Sequence, residues 1–218
     1  MASWSAENAI KAYLRTLKMG KREEEDQGLD VAEFISAMAA GNNARLMVVA
    51  CAGAVDSTTL ALVAAAHQAG GRVICILPGL DQLRLSKQAL GHDASRVEFV
   101  VGEAQYLLST DYLEADFVLI DCHLGNHEDI FRAMLAGRKR NGSIVVGYNA
   151  FSGGSWQCSG MRVQLLPIGG GLLVSRISAS DKVKNGNSEC GKSNWVVKLD
   201  KCTGEEHVFR VRSPHGNS

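Results

Sequence analysis

Short, almost uninterrupted apolar runs recur through the middle of this chain, and they constrain its fold more than any other feature. Strands that are apolar on both faces are typical of a parallel sheet covered by helices. Segments with helical spacing of apolar residues separate the runs, so right-handed crossovers are expected. We therefore predict an α/β fold with a Rossmann-like, doubly wound, mostly parallel sheet. The predicted strands are Leu46–Cys51, Val73–Leu77, Val97–Val101, Phe117–Ile120 and Ser143–Gly147.

The pattern changes after the fifth run. Met161–Leu166 and Leu172–Ile177 flank a glycine-rich turn, which predicts an antiparallel hairpin and brings the sheet to seven strands. Residues 178–193 are polar and rich in Gly and Asn, and they are predicted to form a linker. Residues 194–218 alternate apolar and polar positions and are predicted to form a C-terminal β-hairpin extension. The main domain is then expected to span residues 1–177.

Two N-terminal helices are expected between residues 5 and 40. The first has an apolar face and a basic face at helical spacing. The apolar face consists of Ile10, Tyr13, Leu14 and Leu17, and the basic face of Lys11, Arg15 and Lys18. We expect the apolar face to pack on a larger surface. A homodimer through these helices is left open.

The charge balance limits the partners. Lys plus Arg and Asp plus Glu each number 23, so no basic field attracts nucleic acid or an anionic membrane. A small-molecule acceptor or a protein partner is expected instead. The six cysteines lie far apart in sequence, which is typical of a reducing compartment. With no signal-like N-terminus and no long apolar run, a cytoplasmic protein is predicted.

Polar side chains follow two of the predicted strands. Asp121, Cys122 and His123 come after the fourth run, and Asn149 after the fifth. Because a parallel sheet gathers such residues at one edge, Asp121, His123 and Asn149 are the catalytic candidates, with His123 as a base that works near neutral pH. The thiol beside Asp121 should have a raised pKa and a structural role. A hydrolytic or lyase site with metal bound by Asp121, His123 and His127 is a further alternative.

Four segments carry a resemblance to known proteins. They are Val97–Leu108, Asp116–Asp121, Gly142–Asn149 and Leu165–Gly171. They resemble class I S-adenosylmethionine-dependent methyltransferases, most closely the small metal-dependent O-methyltransferases of the caffeoyl-CoA and catechol type. The whole chain, including its opening Trp-Ser-x-Glu-x-Ala, also resembles a plant-specific domain of unknown function with that fold.

The resemblance implies a cofactor site for S-adenosylmethionine along the strand ends. The implied cofactor-binding residues are Ala52, Gly53, Ser57, Leu77, Gly102, Glu103, Ala104 and Asp121. Three acids of the family's pattern are missing: Ala50 stands for the acid of the first strand, Leu77 for the ribose-binding acid, and Tyr148 for a metal-binding Asp. Restoring an acid at Leu77 is expected to tighten cofactor binding if the pocket is still open. Only Asp121 and Asn149 remain as candidate metal ligands, which argues against a bound divalent metal.

Two functions follow from the resemblance. The first is transfer of a methyl group from S-adenosylmethionine to an oxygen of a small acceptor. The alternative is a non-catalytic methyltransferase-fold protein that acts as a ligand-binding or protein-interaction module. The missing acids favour the alternative.

Overall fold

The computed structural model of the chain describes residues 4–20, 29–136, 143–153, 163–177, 193–199 and 206–212. Its helices are α1 Ala6–Gly20, α2 Leu29–Gly41, α3 Ser57–Ala69, α4 Leu80–Leu90, α5 Ala104–Ser109 and α6 His127–Ala136. Its strands are β1 Leu46–Ala50, β2 Arg72–Leu77, β3 Val97–Val101, β4 Phe117–Asp121, β5 Ile144–Tyr148, β6 Gln164–Leu166, β7 Leu172–Arg176, β8 Ser193–Leu199 and β9 Glu206–Arg212. Short 3₁₀ helices span Gly91–Arg96 and Ala150–Gly153.

Strands β1 to β7 form one sheet in the order β3-β2-β1-β4-β5-β7-β6. The first five strands pair in parallel, and β7 pairs antiparallel with both β5 and β6. The predicted Rossmann-like, mostly parallel seven-stranded sheet is confirmed. Chain order reverses between β1 and β4, and ligands of such folds bind at the carboxyl ends of the strands beside that reversal.

Apolar side chains cover both faces of the sheet, which explains the uninterrupted runs in the sequence. On one face Met47 and Val49 of β1 pack with buried residues of α1, α2 and α3. On the other face Val48 and Ile120 pack with buried residues of α5 and α6. Each central strand therefore has a helical layer on either side.

Helix α3 begins and ends where its sequence predicts. The Asp56 carboxylate accepts a hydrogen bond from Thr58 N at 2.9 Å and caps the first turn. Gly70 ends the helix in the left-handed conformation with a φ of 67°, which glycine adopts without steric cost. These two signals fix the entry of α3 at the same edge of the sheet as the end of β1.

Helix α1 packs through a different face from the one predicted. Its buried side chains are the small residues Ala9, Ala12 and Thr16, which lie against α2 and α3. Ile10 and Leu14 of the predicted packing face are exposed. The larger surface expected for this apolar face is not found within the described part of the chain for Ile10 and Leu14, because the small side chains allow α1 to approach its neighbours more closely.

Strands β8 and β9 pair antiparallel and form a separate two-stranded sheet, in register from Ser193 with Arg212 to Leu199 with Glu206. This confirms the predicted C-terminal hairpin. The linker predicted for 178–193 lies outside the described residues apart from its last position, so the domain boundaries stay a prediction. Within the described residues, no helix has the length and apolar character needed to cross a membrane.

Candidate active site

The Asp121 carboxylate joins three segments of the chain at the carboxyl edge of the sheet. Its Oδ2 accepts a hydrogen bond from Ala52 N, just past β1, at 3.3 Å. Its Oδ1 accepts from His123 N at 3.0 Å and from Asn149 Nδ2 at 3.1 Å. The side chain is only 11% exposed. Asp121 therefore spans the point where strand order reverses and is well supplied with donors.

The His123 ring lies beside this carboxylate. Its Nδ1 is 3.1 Å from Asp121 Oδ1 and 3.3 Å from Asn149 Nδ2, and 53% of its side chain is exposed. The Asn149 amide nitrogen is a donor, so its contact with Nδ1 is a hydrogen bond in the tautomer that carries the proton on Nε2. In the other tautomer the proton on Nδ1 lies toward Asp121 Oδ1, and Nε2 keeps a lone pair. A carboxylate that orients a histidine in this way leaves the second nitrogen free to accept a proton from a ligand.

Asn149 takes its position from the turn that follows β5. Its φ of 58° lies in the left-handed region, which Asn tolerates better than most residues. The next two amides, Ala150 N and Phe151 N, donate to Gly171 O at 3.1 Å and Gly170 O at 2.9 Å. These bonds to the β6–β7 turn hold the Asn149 amide toward Asp121. The three predicted catalytic residues are thus in mutual contact.

The residues implied for the cofactor lie in different environments. Ala52, Gly53 and Ser57 are partly exposed beside Asp121, and a Cβ built on Gly53 would meet no atom within 4 Å. That open space is what a ligand approaching the backbone would need. Leu77, in contrast, is completely buried in the core cluster that includes Cys51.

The segment after β3 is already hydrogen-bonded. Gly102 N donates to Leu77 O at 3.1 Å, and Ala104 is buried. The Glu103 carboxylate caps α5 through Gln105 N at 2.9 Å and also accepts from Tyr106 N. Asn126 Nδ2 donates to the same carboxylate at 3.2 Å. Both oxygens of the Glu103 carboxylate therefore already accept hydrogen bonds within the chain.

The residues present do not fit a divalent metal. Tyr148 is buried, and burial followed by the Asp56 carboxylate raises its pKa well above the usual value. Its neutral phenol faces helix α3. Across the part of the chain that the structure describes, no group of three or more His, Cys, Asp or Glu residues is arranged to hold a metal ion.

The alternative metal site of Asp121, His123 and His127 is wrong for the same reason. His127 begins α6, and its Nδ1 contacts the carbonyl oxygen of Leu124. Only Asp121 and His123 of the three come together at hydrogen-bond distance.

The thiols near the site are buried. Burial, followed by the Asp121 carboxylate, raises the pKa of Cys122 to about 12. The direction agrees with the prediction, although burial is the larger cause. Cys51 Sγ lies 3.6 Å from Cys75 Sγ, and this contact together with burial raises the pKa of Cys51 well above its usual value. Neutral thiols of this kind are poor nucleophiles.

Two supporting contacts had no signal in the sequence. Ala52 was expected to approach a cofactor, and its N–H instead donates to Asp121. Thr58 donates its hydroxyl to Asp56 Oδ1 and offsets part of the rise in the pKa of Tyr148. A backbone donor and a threonine in a helix carry no pattern of their own, so only the fold reveals them.

A family model described as "Protein of unknown function (DUF1442)" matches residues 1–211. The chain belongs to this family. No curated protein matches the sequence.

Solved methyltransferase structures are similar to this family member in fold. A methyltransferase from Geobacter sulfurreducens has 19% sequence identity and a TM-score of 0.55, covering 76% of this chain and 88% of its own. A proposed caffeoyl-CoA O-methyltransferase from Staphylococcus aureus has 13% identity and a TM-score of 0.55, covering 76% and 99%. The O-methyltransferase TomG from Streptomyces achromogenes, in complex with S-adenosylmethionine, has 15% identity and a TM-score of 0.52, covering 82% and 92%. At these identities the likeness establishes the methyltransferase fold alone.

Proposed function

We propose that this DUF1442 protein binds S-adenosylmethionine at the carboxyl edge of β1 and β4 and transfers its methyl group to an oxygen of a small acceptor. The observation that carries the proposal is the contact among Asp121, His123 and Asn149 beside the open space at Gly53. A cytoplasmic setting in a plant cell is part of the same proposal.

His123 is the residue that we assign as base. In the tautomer with the proton on Nδ1, Nε2 accepts the proton of an acceptor hydroxyl, and Nδ1 of the imidazolium that forms lies 3.1 Å from the carboxylate. Asn149 Nδ2 donates to Asp121 Oδ1 and limits rotation of that carboxylate. S-adenosylmethionine, when bound, supplies an electrophilic methyl group on a positively charged sulfur. The protein's share of the reaction is orientation and removal of one proton.

Binding of the cofactor should be weak. Leu77 offers no hydrogen bond to a ribose, and each charge-assisted bond lost costs on the order of 1.5 to 3 kcal/mol, or about tenfold or more in affinity. Glu103 would have to give up donors on α5 or share them. Ala52, Gly53 and Ser57 are the remaining residues that we expect to line the methionine end.

The alternative is a non-catalytic protein that has kept the fold. Two observations favour it: Leu77 and Tyr148, at positions where the resembling enzymes carry acids, are both buried in the core, and Glu103 serves as a helix cap. Such a protein would use the same edge of the sheet for another ligand or for a protein.

Thermal unfolding and methyl-transfer assays together separate these functions. S-adenosylmethionine at about 100 times its Kd adds about 2.7 kcal/mol, which raises Tm by roughly 5 to 10 °C. We expect this rise with and without Mg²⁺. We also expect transfer of labelled methyl to a member of a hydroxyl-acceptor panel.

The matched variants are His123→Asn and His92→Asn, since His92 is an exposed histidine on the 3₁₀ helix after α4. His123→Asn should keep the rise in Tm and lose transfer, whereas His92→Asn should keep both. A flat Tm response to the cofactor would contradict the proposal and support the non-catalytic alternative.

A further inference from the structure

The exposed apolar face of α1 is a prominent surface feature that the proposed function does not use. Ile10 is 59% exposed and Leu14, one turn later, is 49% exposed. Leu17 continues the same face and is partly buried. We call these three residues the α1 stripe. Exposure of adjacent large aliphatic side chains on one helix face is typical of an interaction surface.

The rest of the helix fixes the direction of this stripe. Ala9, Ala12 and Thr16 on the opposite face are buried against α2 and α3. Ser5 N, just before the helix, donates to Gly41 O at 2.7 Å, and Asn8 Nδ2 donates to Asn43 Oδ1 at 2.8 Å. Rotating α1 to bury the stripe would break these contacts and expose the small residues, so the stripe faces outward in the folded chain.

We propose that the stripe binds the stripe of a second copy of this chain, with the two α1 helices antiparallel about a two-fold axis. In that arrangement Ile10 of each copy packs against Leu14 of the other, because an axis near residue 12 relates the two positions. A face that matches itself in this way is what a symmetric dimer requires.

The charges at the two ends of α1 favour the antiparallel arrangement. Glu7 lies in the first turn, where it also pairs with Lys11 of its own chain, and Lys18 lies in the last turn. An axis near residue 12 brings Glu7 of each copy beside Lys18 of the other, whereas in a parallel pair Glu7 is level with Glu7 and Lys18 with Lys18, and no such opposite pairs form. Opposite charges across an interface favour one orientation by penalising the other.

The size of the stripe sets the strength of the dimer. At 1.5 Å per residue, the 15 residues of α1 are about 22 Å long, and one face of such a helix covers roughly 200 to 400 Å². A stable interface usually buries about 800 Å² on each partner. We therefore expect a weak, reversible dimer that forms at tens to hundreds of micromolar protein.

Sedimentation equilibrium of the full chain from about 5 to about 500 µM tests the proposal. The weight-average mass should rise from the monomer value of 23.4 kDa toward twice that value. Leu14→Glu should keep it at the monomer value throughout. The matched control is Leu85→Glu, because Leu85 on α4 is also 49% exposed and should leave the rise unchanged. Circular dichroism checks that both variants fold.

Charge reversal tests the geometry. Glu7→Lys and Lys18→Glu should each weaken the dimer by several-fold, and an equimolar mixture of the two variants should recover wild-type association. Both single variants alter the helix surface within one chain, so recovery on mixing can only come from contact between chains.

Three outcomes would overturn the proposal. They are a mass that stays at the monomer value to the highest concentration, a dimer that survives Leu14→Glu, and a mixture that fails to recover. The first would leave a different protein as the occupant of the stripe.

Discussion

Replacing Asp121 with Ala tests whether one carboxylate holds the carboxyl edge together. The variant removes three accepted hydrogen bonds, from Ala52 N, His123 N and Asn149 Nδ2. Hydrogen bonds to a charged group contribute about 1.5 to 3 kcal/mol each in favourable cases, and we take about 3 to 4 kcal/mol in total because the donors are only partly buried. For a chain of this length that corresponds to a fall in Tm of roughly 6 to 16 °C.

Asp116→Ala is the matched control, at the other end of β4. Asp116 Oδ2 accepts from Arg45 N at 2.9 Å and from Leu46 N at 3.0 Å, so its loss should also lower Tm, by roughly 4 to 12 °C. Differential scanning calorimetry measures both variants with and without S-adenosylmethionine. We expect the cofactor to lose its stabilising effect in Asp121→Ala and to keep it in Asp116→Ala. A change in Tm of less than about 2 °C for Asp121→Ala would refute the reasoning.

Two further variants test the core around the site. Leu77→Asp should lower the free energy of unfolding by several kcal/mol and give no gain in cofactor affinity, because Leu77 is completely buried and a charge there has no partner. Calorimetry measures the stability, and isothermal titration measures the affinity. A stable variant that binds the cofactor more tightly would show that the pocket opens at this position. Stability should also fall as pH rises above about 9, since the unfolded thiol of Cys122 then loses its proton while the folded one, with a pKa of about 12, keeps it. Cys122 alone should lower the free energy of unfolding by about 2 kcal/mol near pH 10.5. Urea unfolding at pH 8 and 10.5 should therefore show a smaller fall in stability for Cys122→Ala than for the wild type. An equal fall in both proteins would contradict the raised pKa of Cys122.

The sheet was predictable because burial on both faces leaves a direct record in the sequence. The central strands β1, β4 and β5 are buried along almost their whole length and are mostly apolar, which is typical of strands covered by helices on both faces. The start of α3 was predictable for an equally local reason, since Asp56 caps the helix within two residues. The proximity of Asp121, His123 and Asn149 was predictable from topology, because parallel strand ends meet at one edge.

The packing face of α1 was not predictable from its pattern. Helical spacing identifies an apolar face, but it does not distinguish burial inside the chain from exposure on its surface. Ala9 and Ala12 pack more closely than the larger Ile10 and Leu14 would, and that preference depends on the shape of α2 and α3.

The consequence of losing an acid was also hidden in the sequence. The absence of an acid at Leu77 was visible, whereas the burial of the replacement side chain was not. A missing carboxylate and a filled core position look alike in a sequence, and only the fold shows that restoring the acid would place a charge in the interior.

The two aspartates at the ends of β4 have a consequence for how the molecule opens. Asp116 receives the amides that lead into β1, and Asp121 receives the amide that leaves it. Strands β1 and β4 are therefore joined by side-chain hydrogen bonds at both ends as well as by backbone hydrogen bonds along their length. In hydrogen exchange, the amides of Ala52 and His123 should behave as part of the slowest cooperative unit even though both residues belong to loops. The edge that would receive a ligand is then among the last parts of the fold to loosen.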